Sequence, residues 1–245
     1  MARVKSAERA FRLLELIASH REGLSFTDLQ TSLDIPRSSA HSLIQEFLDN
    51  DYLLYMPDTR LYHAGLALIK IAANCIESTD LVRDLRLLTA FLSKRLGKTS
   101  HAAILDGKQV VYLAKTLTQE DLSLMRHIGN HLPAHCTAVG KVLLSQYSDE
   151  DIRQLYGEMP LEKMTVDSIS TLPMLLAELR EVRQQGYAIE QREANERAAC
   201  IALPIFSSAG KMVAAFSVTV LAWEWESLAI NDVLAVMKEC RVLVQ

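Results

Sequence analysis

Glycine and proline are scarce, nine and six in 245 residues, which excludes collagen-like and low-complexity chains. Aromatics make up only 6%, so aliphatic residues and alanine must carry the core. The four cysteines (Cys75, Cys136, Cys200, Cys240) are widely separated and form no C-x-x-C pair. They read as reduced thiols, not as a zinc knuckle or a disulfide framework. No apolar run approaches the roughly 20 residues needed to span a bilayer, so no membrane partner is expected. The opening MARVKSAERAFRLLELIASH is charged throughout and lacks the apolar stretch of a secretory signal. A cytoplasmic location is the resulting expectation. An excess of positive charge is missing too. The net charge is −4 and the pI is near 6.0, so any nucleic-acid contact must rest on a local basic patch.

What is present is ordinary for a globular protein: 49% apolar and 23% charged residues, enough for a sizeable buried core. The first 63 residues read as mostly helical. Ala10, Leu13, Leu14 and Ile17 fall at i, i+3, i+4, i+7 on one helix face. Ser25-Phe-Thr-Asp28 is a capping-box pattern that opens a second helix. After Asp34-Ile35, Pro36 suits the first turn of a third helix running to about Asn50, with Ala40, Leu43, Ile44, Phe47 and Leu48 as its buried stripe. Two β-prone runs around Pro57–Arg60 then read as a hairpin. Helix, break, helix and hairpin together predict a winged helix-turn-helix over residues 1–63. A connecting helix is expected over 64–80 and a second domain over 81–245.

In that second domain, Asp106-Gly107 is a hairpin signal between Thr99–Leu105 and Gln109–Lys115. Leu122–Ile128 is a third strand candidate. Thr137–Ser145, Ser148 onward, Thr171–Gln185 and Leu228–Leu243 read as helices. Tyr187–Glu190 begins a strand, and Cys200–Phe206 with Met212–Val220 makes a further hairpin. Strands joined by short turns imply a mainly antiparallel sheet. The fold class expected is therefore α+β.

A third helix in such a domain enters the major groove with its N-terminal side chains toward the base edges. Here these are Arg37, Ser38, Ser39, His41 and Ser42, with Arg60 at the hairpin tip and Arg3 and Lys5 in the N-terminal arm. Residues 1–63 hold seven Lys and Arg against nine Asp and Glu, a net of −2. Glu46, Asp49 and Asp51 are expected at the far end of the third helix, leaving its groove end positive. The alternative is a solvated helical bundle used for protein contacts.

His127, His131 and His135 have metal-ligand spacing on a helix, but Gly129 and Pro133 argue against that helix, so no metal is expected. His135-Cys136 are adjacent and lack a third orienting group, so they do not read as a nucleophile and base. No nucleophile elbow, P-loop or dinucleotide glycine pattern occurs. The expectation is a protein that is not an enzyme and has no cofactor. Thr137 caps a helix whose first amides form a natural seat for a carboxylate. Ser217 and Thr219 alternate onto one strand face. The run EQREANER from Glu190 reads, taken alone, as a solvated loop.

Three segments carry a resemblance. HLPAHCTAVGKVLLS (131–145) is similar to the signature of the IclR-type bacterial transcription regulators, and GYAIEQREANERAACIALPIFSSAGKMVAAFSVTV (186–220) resembles the second half of their effector domain. SFTDLQTSLDIPRSSAHSLIQEFLDNDYLLY resembles their winged helix-turn-helix. The resemblance implies an N-terminal DNA-binding domain, a connecting helix and a GAF-like effector domain. It implies double-stranded operator DNA as partner, a homodimer or homotetramer, and a small organic-acid or aromatic effector. Carried over by position, the effector residues are Leu124, Leu132, Ala138, Val139, Glu190, Cys200, Ser217 and Thr219. The chain departs from the pattern at Ser42, often Arg, at Leu61-Tyr-His-Ala-Gly65 in the wing, at Val139, which narrows the pocket, and at Glu190, usually the shorter Asp. The function expected is a ligand-responsive regulator, a repressor of a catabolic operon released by a sugar acid or hydroxy acid.

Overall fold

The computed structural model describes residues 4–118 and 131–241, without the side chains of residues 76–78. The chain divides into two compact units, Met1–Thr79 and Asp80–Gln245. The first contains α1 (Lys5–Ser19), α2 (Phe26–Leu33), α3 (Arg37–Asp49), the hairpin β1 (Leu53–Met56) and β2 (Leu61–Ala64), and α4 (Leu66–Ser78). Ser25 and Asp28 form the reciprocal capping box: Ser25 Oγ accepts from the Asp28 amide at 3.2 Å, and the Asp28 carboxylate accepts from the Ser25 amide at 3.0 Å. The break between α2 and α3 turns at Asp34, which is left-handed at φ 51°. Pro36 is the N-cap of α3 and not part of its first turn, because its ψ of 145° is extended. Its ring still costs no hydrogen bond there. Leu13, Ile17, Leu29, Leu33, Ala40, Ile44 and Leu53 form the core of this unit.

The second unit is three-layered. Six antiparallel strands run in the order β5-β4-β3-β8-β7-β6: β3 (Thr99–Asp106), β4 (Gln109–Thr116), β5 (His131–Pro133), β6 (Ala188–Gln191), β7 (Ala198–Phe206) and β8 (Met212–Leu221). One face packs against α5 (Asp80–Leu96) and α9 (Ile230–Cys240) through Leu85, Leu88, Leu92, Ile201, Leu203, Phe216 and Met237. Each fully buried leucine contributes roughly 1.5–3 kcal/mol. The other face packs against α6 (Ala138–Leu144), α7 (Asp149–Tyr156) and α8 (Leu172–Gln185) through Cys200, Ala202, Val142, Leu143, Ile152 and Leu179. Covering on both faces explains why β7 and β8 are buried nearly end to end, where a one-sided sheet would alternate.

One expectation shifts. The final helix starts at Ile230, later than expected, because Ala222–Ser227 forms a 3₁₀ turn ahead of it. The strand candidate Leu122–Ile128, His127 and Arg3 lie outside the described residues. Among the described residues no helix is long and apolar enough to cross a membrane.

Candidate nucleic-acid interface and effector cavity

Arg37, Ser38, His41 and Ser42 are exposed along the first two turns of α3, and Ser39 is half-buried. The helix is seated by Ala40 and Ile44, which are buried in the core on the side away from Ser38 and Ser42. The Arg37 guanidinium rests 5.5 Å from the centre of the Phe26 ring, a cation–π contact that holds it at the mouth of the helix-turn-helix. Ser42 Oγ donates to the Ser38 carbonyl at 3.1 Å. Arg60 closes the wing turn with φ 58°, exposed at its tip. Ser6 and Arg9 of α1 border a shallow groove together with Ser38, Ser39 and Ser42. Spacing alone gave no reason to single them out. Glu46, in the last turn of α3 as expected, also lines that groove. Residues four apart share a helix face, so Glu46 follows Ser42.

The second unit holds a narrow, nearly filled cavity of about 10 Å³ lined by His101, Tyr112, Thr137, Ala138, Val139, Glu190, Cys200, Ser217 and Thr219. Sheet register brings these together. Glu190 is paired with Cys200, Cys200 with Thr219, and His101 with Ser217, so three polar rungs share one face. Cys200 Sγ lies 3.3 Å from Thr219 Oγ1, which lies 3.2 Å from His101 Nδ1. The His101 ring meets Tyr112 edge-on at 5.5 Å. Ser217 and Thr219 are each 3% exposed, which decides against an exposed sheet edge.

The α6 end of the cavity is built by a close approach. Thr137 Oγ1 accepts from the Gly140 amide at 3.0 Å, leaving the Ala138 and Val139 amides as first-turn donors without an intrahelical carbonyl. A Cβ on Gly140 would overlap the Ala134 carbonyl, so only glycine lets the Ala134–Cys136 turn lie against α6.

The run from Glu190 is only partly solvated: Gln191, Arg192, Glu196 and Arg197 are exposed, but Glu190, Glu193 and Ala194 are buried. Glu190 is 1% exposed, and its Oε1 accepts from the Glu193 amide at 2.7 Å and the Ala194 amide at 3.2 Å. Glu193 is itself buried and accepts from Lys141 Nζ at 2.6 Å. Lys141 donates also to Glu178 at 2.9 Å and to the Ile189 carbonyl at 3.0 Å. Burial alone would depress the Lys141 ammonium, but Glu193 and Glu178 outweigh it and raise its pKa above the ordinary value. Burial pushes the Glu193 carboxyl up to about 7 against the pull of Lys141. The two directions agree, because one ammonium is shared among several buried carboxylates.

The structure thus brings together Ala138, Val139, Glu190, Cys200, Ser217 and Thr219. Leu132 sits on β5 opposite Val110, packed on the core beside α6, and is not among the lining residues. Leu124 lies outside the described residues. His101, Tyr112 and Lys141 were missed. A histidine and a tyrosine in β-prone runs look like ordinary strand residues, and a lysine in a helix looks solvated. His131 is exposed on β5, while His135 is buried, with Nε2 2.8 Å from the Glu162 carbonyl. Burial lowers the His135 pKa and raises that of Cys136 to about 11, so the adjacent pair is an inert imidazole and an inert thiol. No cluster of metal-ligating side chains occurs among the described residues.

A winged helix-turn-helix joined to a domain with a buried polar cavity defines a DNA-binding regulator with an effector-binding domain. The family model for the bacterial transcriptional regulator IclR C-terminal domain matches residues 73–241, and that for the IclR helix-turn-helix domain matches residues 6–56. The chain belongs to the IclR family of bacterial transcriptional regulators. It is 28% identical over 218 residues to the HTH-type transcriptional regulator XynR of Escherichia coli (strain K12), covering 89% of this chain and 86% of that protein. It is 26% identical over 215 residues to the HTH-type transcriptional repressor AllR of Salmonella paratyphi A, covering 88% of this chain and 79% of that protein. Among solved structures, an IclR homologue from Microbacterium hydrocarbonoxydans complexed with 4-hydroxybenzoate superposes with a TM-score of 0.83 at 21% identity, covering 98% and 97% of the two chains. These relatives are named as regulators, not as enzymes.

Proposed function

We propose that this regulator is a repressor of a catabolic operon, released by a small hydroxylated carboxylate such as a sugar acid or hydroxy acid. The observation that carries the effector class is the polarity of the cavity. Its α6 end offers the amides of Ala138 and Val139 and the positive end of a helix, suited to an anion. Its opposite side offers Glu190, Ser217 and Thr219, which suit hydroxyl groups. A carboxylate has about four acceptor positions, so the amide bonds to Glu190 Oε1 and hydroxyls of a ligand are compatible. The named repressor among its relatives, and the hydroxylated benzoate held by a homologue of the same fold, support the reading.

Glu190→Gln tests it. The variant keeps the shape of the side chain and removes its charge. Calorimetry with D-gluconate, glycolate, succinate and 4-hydroxybenzoate is expected to show polyhydroxy acids losing about tenfold in affinity, the worth of one hydrogen bond to a charged group. Succinate is expected to gain relative to them. A wild type that prefers an uncharged aromatic ring overturns the assignment.

DNA contact falls to Arg37, Ser38, Ser39, His41, Ser42 and Arg60. Arg37→Ala is expected to weaken binding to the protein's own upstream region by about 1–3 kcal/mol if the contact is to guanine. Equal affinity at matched salt counts against Arg37. Assembly as a homodimer or homotetramer is supported by exposed apolar side chains. Leu66 and Ile69 of α4 are 65% and 63% exposed, and Leu87 of α5 is 63% exposed. Two-fold symmetry then matches paired half-sites on DNA. Sedimentation that finds only monomer at micromolar concentration contradicts this.

A further inference from the structure

The buried Lys141 cluster lies one helical turn beyond the cavity and is not part of its lining. It has no counterpart in DNA contact, and its components come from four places in the chain. Lys141 is on α6, three residues after Ala138. Glu178 is on α8, the Ile189 carbonyl is on β6 next to Glu190, and Glu193 is in the turn between β6 and β7. All three donors of the ammonium are used.

The turn is the connecting part. Its Glu193 and Ala194 amides are the groups that hold Glu190 Oε1. Its backbone is tied at two further points: Ser168 Oγ donates to the Glu193 carbonyl and Thr165 Oγ1 to the Arg192 carbonyl, each at 2.7 Å. The Glu193 side chain anchors the same turn to α6 through Lys141. Cavity wall, turn and signature helix are therefore one hydrogen-bonded unit. Removing the Lys141–Glu193 contact frees the amides that set the position of the Glu190 carboxylate.

The charges around this unit do not cancel. Glu193 faces Lys141 from α6, Glu178 from α8, Glu190 from β6, and the neutral Cys136 thiol from the turn before α6. At the surface, Arg192 pairs with Asp167 at 3.4 Å. One buried ammonium thus meets two carboxylates, and Glu190 adds a third negative charge beside Glu193. Glu193 Oε2 is buried and has no hydrogen-bond partner among the described residues, which is costly for a charged oxygen. A ligand carboxylate seated on α6 adds a further negative charge within about one helical turn of Lys141.

We propose that Lys141 and Glu193 are positioning residues of the effector cavity, and that an anionic effector enters together with one proton, taken from solvent onto Glu193. Glu193 then becomes the neutral acid and Lys141 keeps Glu178 as its counter-ion. The raised Glu193 pKa near 7 supports this, since it places the proton within reach at physiological pH. The inference rests on the cavity being the effector site, but its first two tests need no effector.

The first test is hydrogen exchange followed by mass spectrometry on the full chain, comparing wild type with Lys141→Met and with the milder Glu193→Ala. Exchange in the peptide spanning residues 190–198 is expected to rise roughly tenfold or more as local opening becomes easier, with α9 and the far end of β7 unchanged. A purely structural role raises exchange across the whole unit, and unchanged exchange at 190–198 also overturns the positioning role. The second test is urea unfolding at pH 6 and pH 8. A carboxyl whose folded pKa exceeds its unfolded value makes the fold bind the proton more tightly, so stability rises as pH falls toward 6. The wild type is expected to gain stability over this interval relative to Glu193→Gln, which lacks the titrating group. Equal pH dependence in both proteins removes Glu193 as the proton acceptor. In the third, calorimetry with D-gluconate and glycolate at pH 8, in buffers of different ionisation enthalpy, is expected to show proton uptake in the wild type and none in Glu193→Gln. If neither acid binds the wild type, the carboxylate-effector reading fails, and the first two tests still decide the roles of Lys141 and Glu193.

Discussion

Gly140→Ala is expected to unfold or severely weaken the effector unit. The added methyl would meet the backbone of Ala134, its carbonyl oxygen and Cα, and not the movable end of a side chain. The turn before α6 would have to lift away, and with it the Thr137 cap and the α6 end of the cavity. Overpacking typically costs 1–3 kcal/mol, and a rigid backbone neighbour places this site at about the upper end of that range. Against a total stability of roughly 5–15 kcal/mol the loss is large. Thermal unfolding of the variant is the measurement, and a midpoint equal to wild type contradicts the close approach. Alanine has better helix propensity than glycine, so any destabilisation is steric and not a propensity effect.

Ile44→Ala is expected to abolish operator binding without touching a DNA-facing side chain. Ile44 is 2% exposed and lies on α3 opposite Ser42, within the cluster of Leu13, Leu29 and Leu53. Truncating a buried isoleucine to alanine costs about 2–5 kcal/mol, through lost burial and the cavity left behind. In a small domain that is a large part of the stability, and it loosens the seat of the recognition helix. Gel-shift affinity and proteolytic nicking of residues 5–64 report the effect together. The effector unit, with its own core, is expected to keep its ligand affinity. A variant that binds DNA as the wild type does shows that the seat of α3 does not depend on this contact.

Much of the DNA-binding unit was legible because its determinants are local. The capping box at Ser25 and Asp28, the apolar stripe around Ala40 and Ile44 and the hairpin turn before Leu61 are each written within a few residues. The recognition-helix side chains then follow from helical periodicity. Ser6 and Arg9 show the limit even here. That these α1 residues border the same groove as Ser38 and Ser42 is a matter of tertiary placement, which no local pattern states.

The cavity was legible only in part. Ser217 and Thr219 announced a shared face by alternation, and the resemblance to the IclR family supplied Ala138, Val139, Glu190 and Cys200. His101 reaches the cavity because β3 lies beside β8, a neighbour more than 100 residues away in sequence, and Tyr112 joins it from β4 on the other side of β3. Periodicity shows which way a strand residue alternates, but not which strand lies next to it or which face a helix covers.

The sequence by itself determined the class of protein: helical N-terminal unit, antiparallel second domain and the family signature, all set by short-range periodicity, caps and turns. Tertiary structure alone decided that Glu190 and Glu193 of EQREANER turn inward while Arg192, Glu196 and Arg197 stay exposed. The run's charge density predicts solvation, yet Glu190 finds two backbone amides and Glu193 finds Lys141 once β6, α6 and α8 are packed together. Burying a charge is costly unless a partner waits at hydrogen-bond distance, and whether one waits is a property of the assembled fold.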